Sequence, residues 1–239
     1  MLPEPFPNLL GRHEEIDIAL AALSGPGLVE IYGPCGIGKT SLLRHLAHRA
    51  VTVFPDLPVV FASAAGLALG DLLQALFALL CQADVRWRPE DIQLRHELRR
   101  AQAVLLLDDV ALGSDDLADL VRAVPDCRVA LACPRRRLGS ETRSLGLSGL
   151  DEQASVQLAV RALGRALRDD ERTDLWQLWN VLAGHPLRLL QAAALVREAG
   201  QSFAQLVGAL QEGDPVGSSS DGALPGCQPS SVGSSGRSR

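Results

Sequence analysis

The segment Gly33-Pro34-Cys35-Gly36-Ile37-Gly38-Lys39-Thr40 constrains this chain more than any other. It has the form G-x-x-x-x-G-K-[ST], a loop that holds phosphate groups with its backbone amides. Glycines at 33, 36 and 38 permit a tight curl that points N–H groups inward. The apolar run Leu28-Val29-Glu30-Ile31-Tyr32 reads as the strand that feeds the loop. Beyond it, Leu42, Leu43, Leu46 and Ala47 recur at helical spacing from Thr40 to about Val51, so a helix N-terminus adds its dipole to the site. Of the 23 Lys and Arg residues, the one lysine is Lys39. A compact ammonium reaches between two phosphates where a planar guanidinium fits poorly. Lys39 is therefore expected between the β and γ phosphates, and Thr40, rather than the adjacent Ser41, on Mg²⁺. Pro34, Cys35, Ile37 and Ser41 complete the loop's candidate contacts.

Strands and helices alternate along the first part of the chain. Strands are predicted at 58–63, 103–108 and 128–132, with a short one at 144–147; helices are predicted at 69–82, 89–100 and from Ser114, as the cap, to about Val124. This order implies a parallel sheet covered by helices on both faces. After Leu150 the pattern becomes all helical: 151–163, 169–183, 186–199 and 202–211. The stretch 213–239 is Gly, Ser and Pro with scattered polar residues, too poor in apolar side chains to order itself. Three parts result: a nucleotide-binding domain at 1–150, a helical lid at 151–212 and a tail at 213–239.

Composition narrows the function classes. The net charge of −5 argues against a general nucleic-acid-binding surface. Five cysteines without a C-x-x-C pair favour a reducing compartment over a disulfide framework or zinc site. The start lacks the basic-then-apolar pattern of a signal peptide, and the apolar stretch 67–83 is short for a membrane span and carries Asp71. A cytoplasmic protein that does not engage membranes is expected. His45 and His48, and Trp176 with Trp179, read as ordinary helix faces, and Cys127 and Cys133 as buried thiols.

A phosphate loop alone says only that a nucleotide binds. The run Val104-Leu105-Leu106-Leu107-Asp108-Asp109 makes the chemistry specific. It is an apolar strand ending in two carboxylates: Asp108 is assigned to Mg²⁺, and Asp109 to polarising an attacking water. An acidic base beside the metal ligand is typical of phosphate-loop proteins with an extra strand between the loop strand and the acid strand. That places 128–132 between 28–32 and 103–108, and brings Arg135 or Arg136 toward the γ-phosphate. The expected fold is thus an α/β P-loop NTPase with a parallel five-stranded sheet and a small all-helical lid.

The chain resembles the NB-ARC group of signal-transduction ATPases, the STAND-type nucleotide switches. The resemblance rests on Leu10-Gly11-Arg12-His13-Glu14-Glu15, the phosphate loop, Leu105-Leu106-Leu107-Asp108-Asp109-Val110, Arg128 to Arg135, Leu147 to Glu152, and Gly184-His185-Pro186-Leu187-Arg188-Leu189. It implies ATP or ADP with Mg²⁺ as cofactors, with Gly11, Arg12 and the lid residue Pro186 against the adenine. It also implies a switch that exchanges ADP for ATP and engages a protein partner or self-associates. Ala132-Cys133-Pro134-Arg135 stands where the family has Thr-Thr-Arg, so hydrolysis is expected to be slow. The alternatives are an AAA+-like remodelling ATPase, a small-molecule kinase, or a nucleotide-binding scaffold that has lost hydrolysis.

Overall fold

The structure is a computed structural model that describes residues 2–4, 9–81, 89–139 and 143–212. The predicted tail at 213–239 lies outside them. Five parallel strands form one sheet in the order β2-β3-β4-β1-β5, where β1 is Gly27–Tyr32, β2 Val59–Ser63, β3 Val104–Asp108, β4 Arg128–Cys133 and β5 Arg143–Gly146. β4 therefore lies between the loop strand β1 and the acid strand β3, as the paired carboxylates predicted. Every residue of β3 is buried. Alternate side chains serve two different cores, as the two-residue repeat of a strand requires. Leu105 and Leu107 pack with Leu72, Leu76 and Phe77 of α3 (Leu69–Leu80) and Leu117 and Leu120 of α5 (Ser114–Ala123). Val104 and Leu106 pack with Leu42, Leu43 and Leu46 of α2 (Lys39–Val53), and with Ile16 and Ala19 of α1 (His13–Ala22).

Three local differences from the sequence pattern have simple causes. α1 was not anticipated, because its buried face amounts to Ile16 and Ala19, too sparse to show a period. Ser114 is the first residue of α5 rather than its cap; Gly113 takes that place in extended backbone. α4 is shorter than expected, Asp91–Leu98, because Glu90 is extended and acts as the N-cap.

The lid consists of α6 (Glu152–Leu163), α7 (Asp169–Leu182), α8 (Pro186–Glu198) and α9 (Phe203–Gln211) around a core of its own that includes Leu175, Leu178, Leu189 and Phe203. Its helix starts are well specified. Asp151 caps α6 by accepting from the Ala154 amide, and Ser202 and Gln205 form a reciprocal capping box on α9. Pro186 occupies the first turn of α8, where its missing N–H costs nothing. Lid and sheet meet at a close backbone approach: the Leu150 amide donates to the Gly184 carbonyl (2.8 Å), and Trp179 Nε1–H donates to the Leu150 carbonyl (2.9 Å). A side chain at Gly149 or Gly184 would run into the opposing backbone, so only glycine allows this approach.

Candidate nucleotide site

The C-terminal ends of β1, β4 and β3 lie side by side, which brings together the loop at 33–40, the turn after Cys133 and the acids at 108–109. Gly36 (φ +78°) and Gly38 (φ +105°) turn the loop through backbone angles that side chains disfavour. Gly38 then opens α2, so the helix begins beneath the loop. Lys39 folds back over it: Nζ donates to the carbonyls of Gly33 (2.8 Å) and Pro34 (2.9 Å). Thr40 Oγ1 donates to Asp108 Oδ1 across 3.2 Å, linking residues 68 apart in the chain. Ser41, the next residue of α2, makes no comparable approach to Asp108 among the described contacts.

Asp108 is buried, and that burial pushes its carboxyl pKa up; the bond from Thr40 pulls it partly back. A hydroxyl and a partly desolvated carboxylate this close are a hard-oxygen pair suited to Mg²⁺, which takes few protein ligands and completes its shell with phosphate and water. The described residues contain no group of three His, Cys, Asp or Glu able to hold a metal. Asp109 is exposed and has φ +54°, an uncommon angle for a residue with a side chain. Its own amide donates to Asp108 Oδ1 (3.1 Å), and the Val110 amide to the Ala132 carbonyl (2.9 Å), so the strand end is tied down on both sides of it.

Arg135, Arg136 and Arg137 are all exposed on the turn that follows β4. What holds that turn is Glu30, which in the sequence looks like no more than part of an apolar strand. Its buried carboxylate accepts from the amides of Arg137 (2.6 Å) and Leu138 (3.3 Å) and from Ser144 Oγ (3.2 Å). The detectable signal was a lone acid in a strand otherwise covered on both faces, since a buried charge must find donors. Cys133, in the place of the missing hydroxyl, is fully buried; desolvation, with the Glu30 charge beside it, pushes its thiol up to about 12, so it stays protonated.

Gly11 (φ +59°) and Arg12 form a wall beside the loop. A Cβ at Gly11 would come within 2.6 Å of the Ala154 side chain, so glycine lets this segment lie against α6. Arg12 is buried, and its guanidinium faces the protein: Nη1 donates to Glu15 (2.7 Å), and Nη2 to the carbonyls of Ile37 (3.2 Å) and Ser148 (2.6 Å). Pro186 is half-buried at the start of α8. Two clefts in the lid, about 80 Å³ between α6 and α7 and about 240 Å³ among α7, α8 and α9, are lined by no residue of the loop or acid strand. The site is defined by the loop's backbone rather than by those hollows.

The fold and the order of these motifs define a P-loop nucleotide-binding domain with a helical lid. The NB-ARC domain profile matches residues 12–166, more than half of the sequence, and the chain belongs to that family. A search of curated proteins returned no match. Among solved structures, the chain is similar to the STAND protein with a tetratricopeptide repeat sensor from Pyrococcus horikoshii: TM-score 0.55, 20% identity, over 87% of this chain and 33% of that one. It is also similar to domain III of the replication initiation protein DnaA from Thermotoga maritima, with TM-score 0.53 and 19% identity over 87% of this chain and 97% of that one. The AMPPCP-bound DnaA from Aquifex aeolicus matches with TM-score 0.52 and 18% identity over 84% and 67%. At these identities the likeness speaks for the fold alone. No helix among the described residues is long and apolar enough to cross a membrane.

Proposed function

We propose that this chain binds ATP and ADP with Mg²⁺ and serves as a slowly hydrolysing nucleotide switch that regulates a protein partner, or its own association, in the cytoplasm. The approach of Thr40 to Asp108 beside the Lys39 loop carries the reading. Lys39, now on the Gly33 and Pro34 carbonyls, would hold the β and γ phosphate oxygens of a bound nucleotide. Thr40 and Asp108 would hold the Mg²⁺, which would supply charge neutralisation of the phosphates. Asp109, exposed at the strand end, would orient and polarise the water, and Arg135 would meet the charge that develops at the γ-phosphate. Gly11, Arg12 and Pro186 line the adenine side, with Arg12 acting as the brace of that wall, since its cation is already spent on Glu15 and two carbonyls. With a buried thiol where the family has a hydroxyl, the γ-phosphate has a poorer sensor, which supports slow turnover. The lid, 151–212, is the moving part that reports which nucleotide is held.

Calorimetry with MgADP and MgATP on the wild-type protein and on Lys39→Ala tests the reading. The variant should bind about 10- to 100-fold more weakly, the cost of a charge-assisted contact to phosphate. Asp109→Asn should still bind ATP while its hydrolysis stops. Absence of binding heat from the wild-type protein at millimolar nucleotide would refute the site. Turnover well above about one per minute would refute the switch in favour of a remodelling ATPase.

A further inference from the structure

Three successive carbonyls of the phosphate loop are gripped from outside it. His185 Nε2 lies 3.0 Å from the Cys35 carbonyl oxygen. The Leu187 amide donates to the Gly36 carbonyl (3.3 Å), and Arg12 Nη2 donates to the Ile37 carbonyl (3.2 Å). Two of the three donors, the cap residue His185 and Leu187 in the first turn, belong to the start of α8 in the lid, and the third to the segment ahead of α1. The contact is close: a Cβ on Gly36 would sit 2.7 Å from the Leu187 side chain and 2.9 Å from His185 Cε1. The carbonyls of Gly33 and Pro34 face the other way, toward Lys39 Nζ, and the Ile37 amide also turns to Pro34 (3.4 Å).

In a trans peptide the C=O and the next N–H point in opposite directions. A carbonyl pulled outward therefore drives the following amide inward. Holding Cys35 and Ile37 by their oxygens aims the amides of Gly36 and Gly38 into the loop, where phosphate oxygens would lie, while the amide that follows the Gly36 carbonyl, that of Ile37, donates to Pro34. His185 is suited to this by its tautomer. Its Nδ1 accepts from the Arg188 amide as the cap of α8, and the Cys35 oxygen can only accept, so Nε2 carries the proton.

We propose that the lid tunes the loop's grip on phosphate from behind, with His185 as the positioning residue that couples the start of α8 to the direction of the Gly36 amide. This rests on the nucleotide reading above and adds to it a route by which lid posture and phosphate affinity are linked. A lid that swings off removes two of the three outward holds and loosens the loop; by reciprocity, a phosphate that orders the loop favours the docked lid.

The test compares dissociation constants for MgADP and for AMP, the latter at millimolar dose, in wild type, His185→Asn and His185→Gln. Asn keeps a side-chain oxygen to cap α8 but is too short to reach Cys35; Gln keeps both a donor and the length. His185→Asn should weaken ADP about fivefold, the worth of one hydrogen bond, and leave AMP, which has no β-phosphate, within about twofold. His185→Gln should restore ADP to near wild type. An unchanged ADP-to-AMP ratio in a folded His185→Asn, or an equal loss for both nucleotides, overturns the proposal. Should His185→Asn fail to fold, a His185→Gln protein that folds yet binds ADP as weakly as about fivefold below wild type also overturns it. A wild-type protein that binds no ADP sinks the nucleotide reading itself, and this inference with it.

Discussion

Asp108 in the sheet half and Glu171 in the lid are equally covered carboxylates, 7% and 4% exposed, yet their surroundings treat them in opposite ways. Arg165 grips Glu171 with two parallel bonds of 2.7 Å, the Arg168 amide adds a third at 2.9 Å, and its guanidinium stands 3.0 Å away. The paired arginine holds the Glu171 carboxyl down to about 2. Asp108 receives only a threonine hydroxyl and a neighbouring amide, and burial pushes its carboxyl up. Among the described residues no ion pair reaches it. Arg165 and Arg168 are spent on the lid's own architecture, whereas at the sheet end the Arg44 charge offsets the burial of Asp108 only in part, a condition suited to a metal ligand.

The largest effects should separate the two regions by their cores. Leu105 and Leu178 are both fully buried, one in the sheet and one in the lid. Either Leu→Ala change should cost about 2–5 kcal/mol. Hydrogen exchange should show Leu105→Ala loosening β1, β3 and β4 together with the site. Leu178→Ala should raise exchange in α6–α9 well before the sheet. Uniform loosening in both variants would mean that lid and sheet are one cooperative unit, and the contrast between them would lose its structural basis.

The parts legible in the sequence are those written in local pattern. Lys39 and Thr40 sit in a fixed spacing, and the run 104–108 is apolar throughout because both its faces are covered. The two acids at its end led to the inserted strand β4. Glu30 and His185 were missed because their partners are remote: 107 residues separate Glu30 from Arg137, and 150 separate Cys35 from His185. No periodicity carries such a pairing. His185 did have a local sign, a side chain able to cap just ahead of a proline at a helix start. Arg12 shows a different limit. The resemblance places its segment against the base, but only coordinates reveal that the guanidinium turns inward to carbonyls of the loop and the lid junction.

Asp108→Asn sharpens the contrast at intermediate size. A group whose folded pKa is raised contributes stability below its unfolded value, near 3.8, and loses it as pH rises through the folded value. At pH 7 the charged Asp108 is thus a burden on the nucleotide-free protein. The asparagine variant should melt a few degrees higher there, with the gain shrinking as pH falls through the raised folded value and gone below about 3.8. It should also lose the Mg²⁺ dependence of ATP binding. A lower melting temperature at pH 7 would show that Asp108 is held as a structural ion, like Glu171, and would remove the case for it as a metal ligand.

Glu171→Gln should give the smallest effect and the opposite sign. Here the folded pKa is depressed, so the stabilisation is present above the unfolded value, 4.5, and is lost as pH falls toward about 2. The wild-type lid should therefore weaken across that window, while the substituted glutamine, which cannot titrate, leaves the variant flat. The two melting curves should differ at pH 7 and converge near pH 2. The difference at pH 7 stays modest because Arg165 and Arg168 are open to water, which screens their hold. Adding 1 M salt should narrow it further, since the Debye length falls to about 3 Å. If instead the variant is the less stable by the same margin at every pH, Glu171 acts through the Arg168 amide as a neutral cap would, and its charge is incidental to the lid.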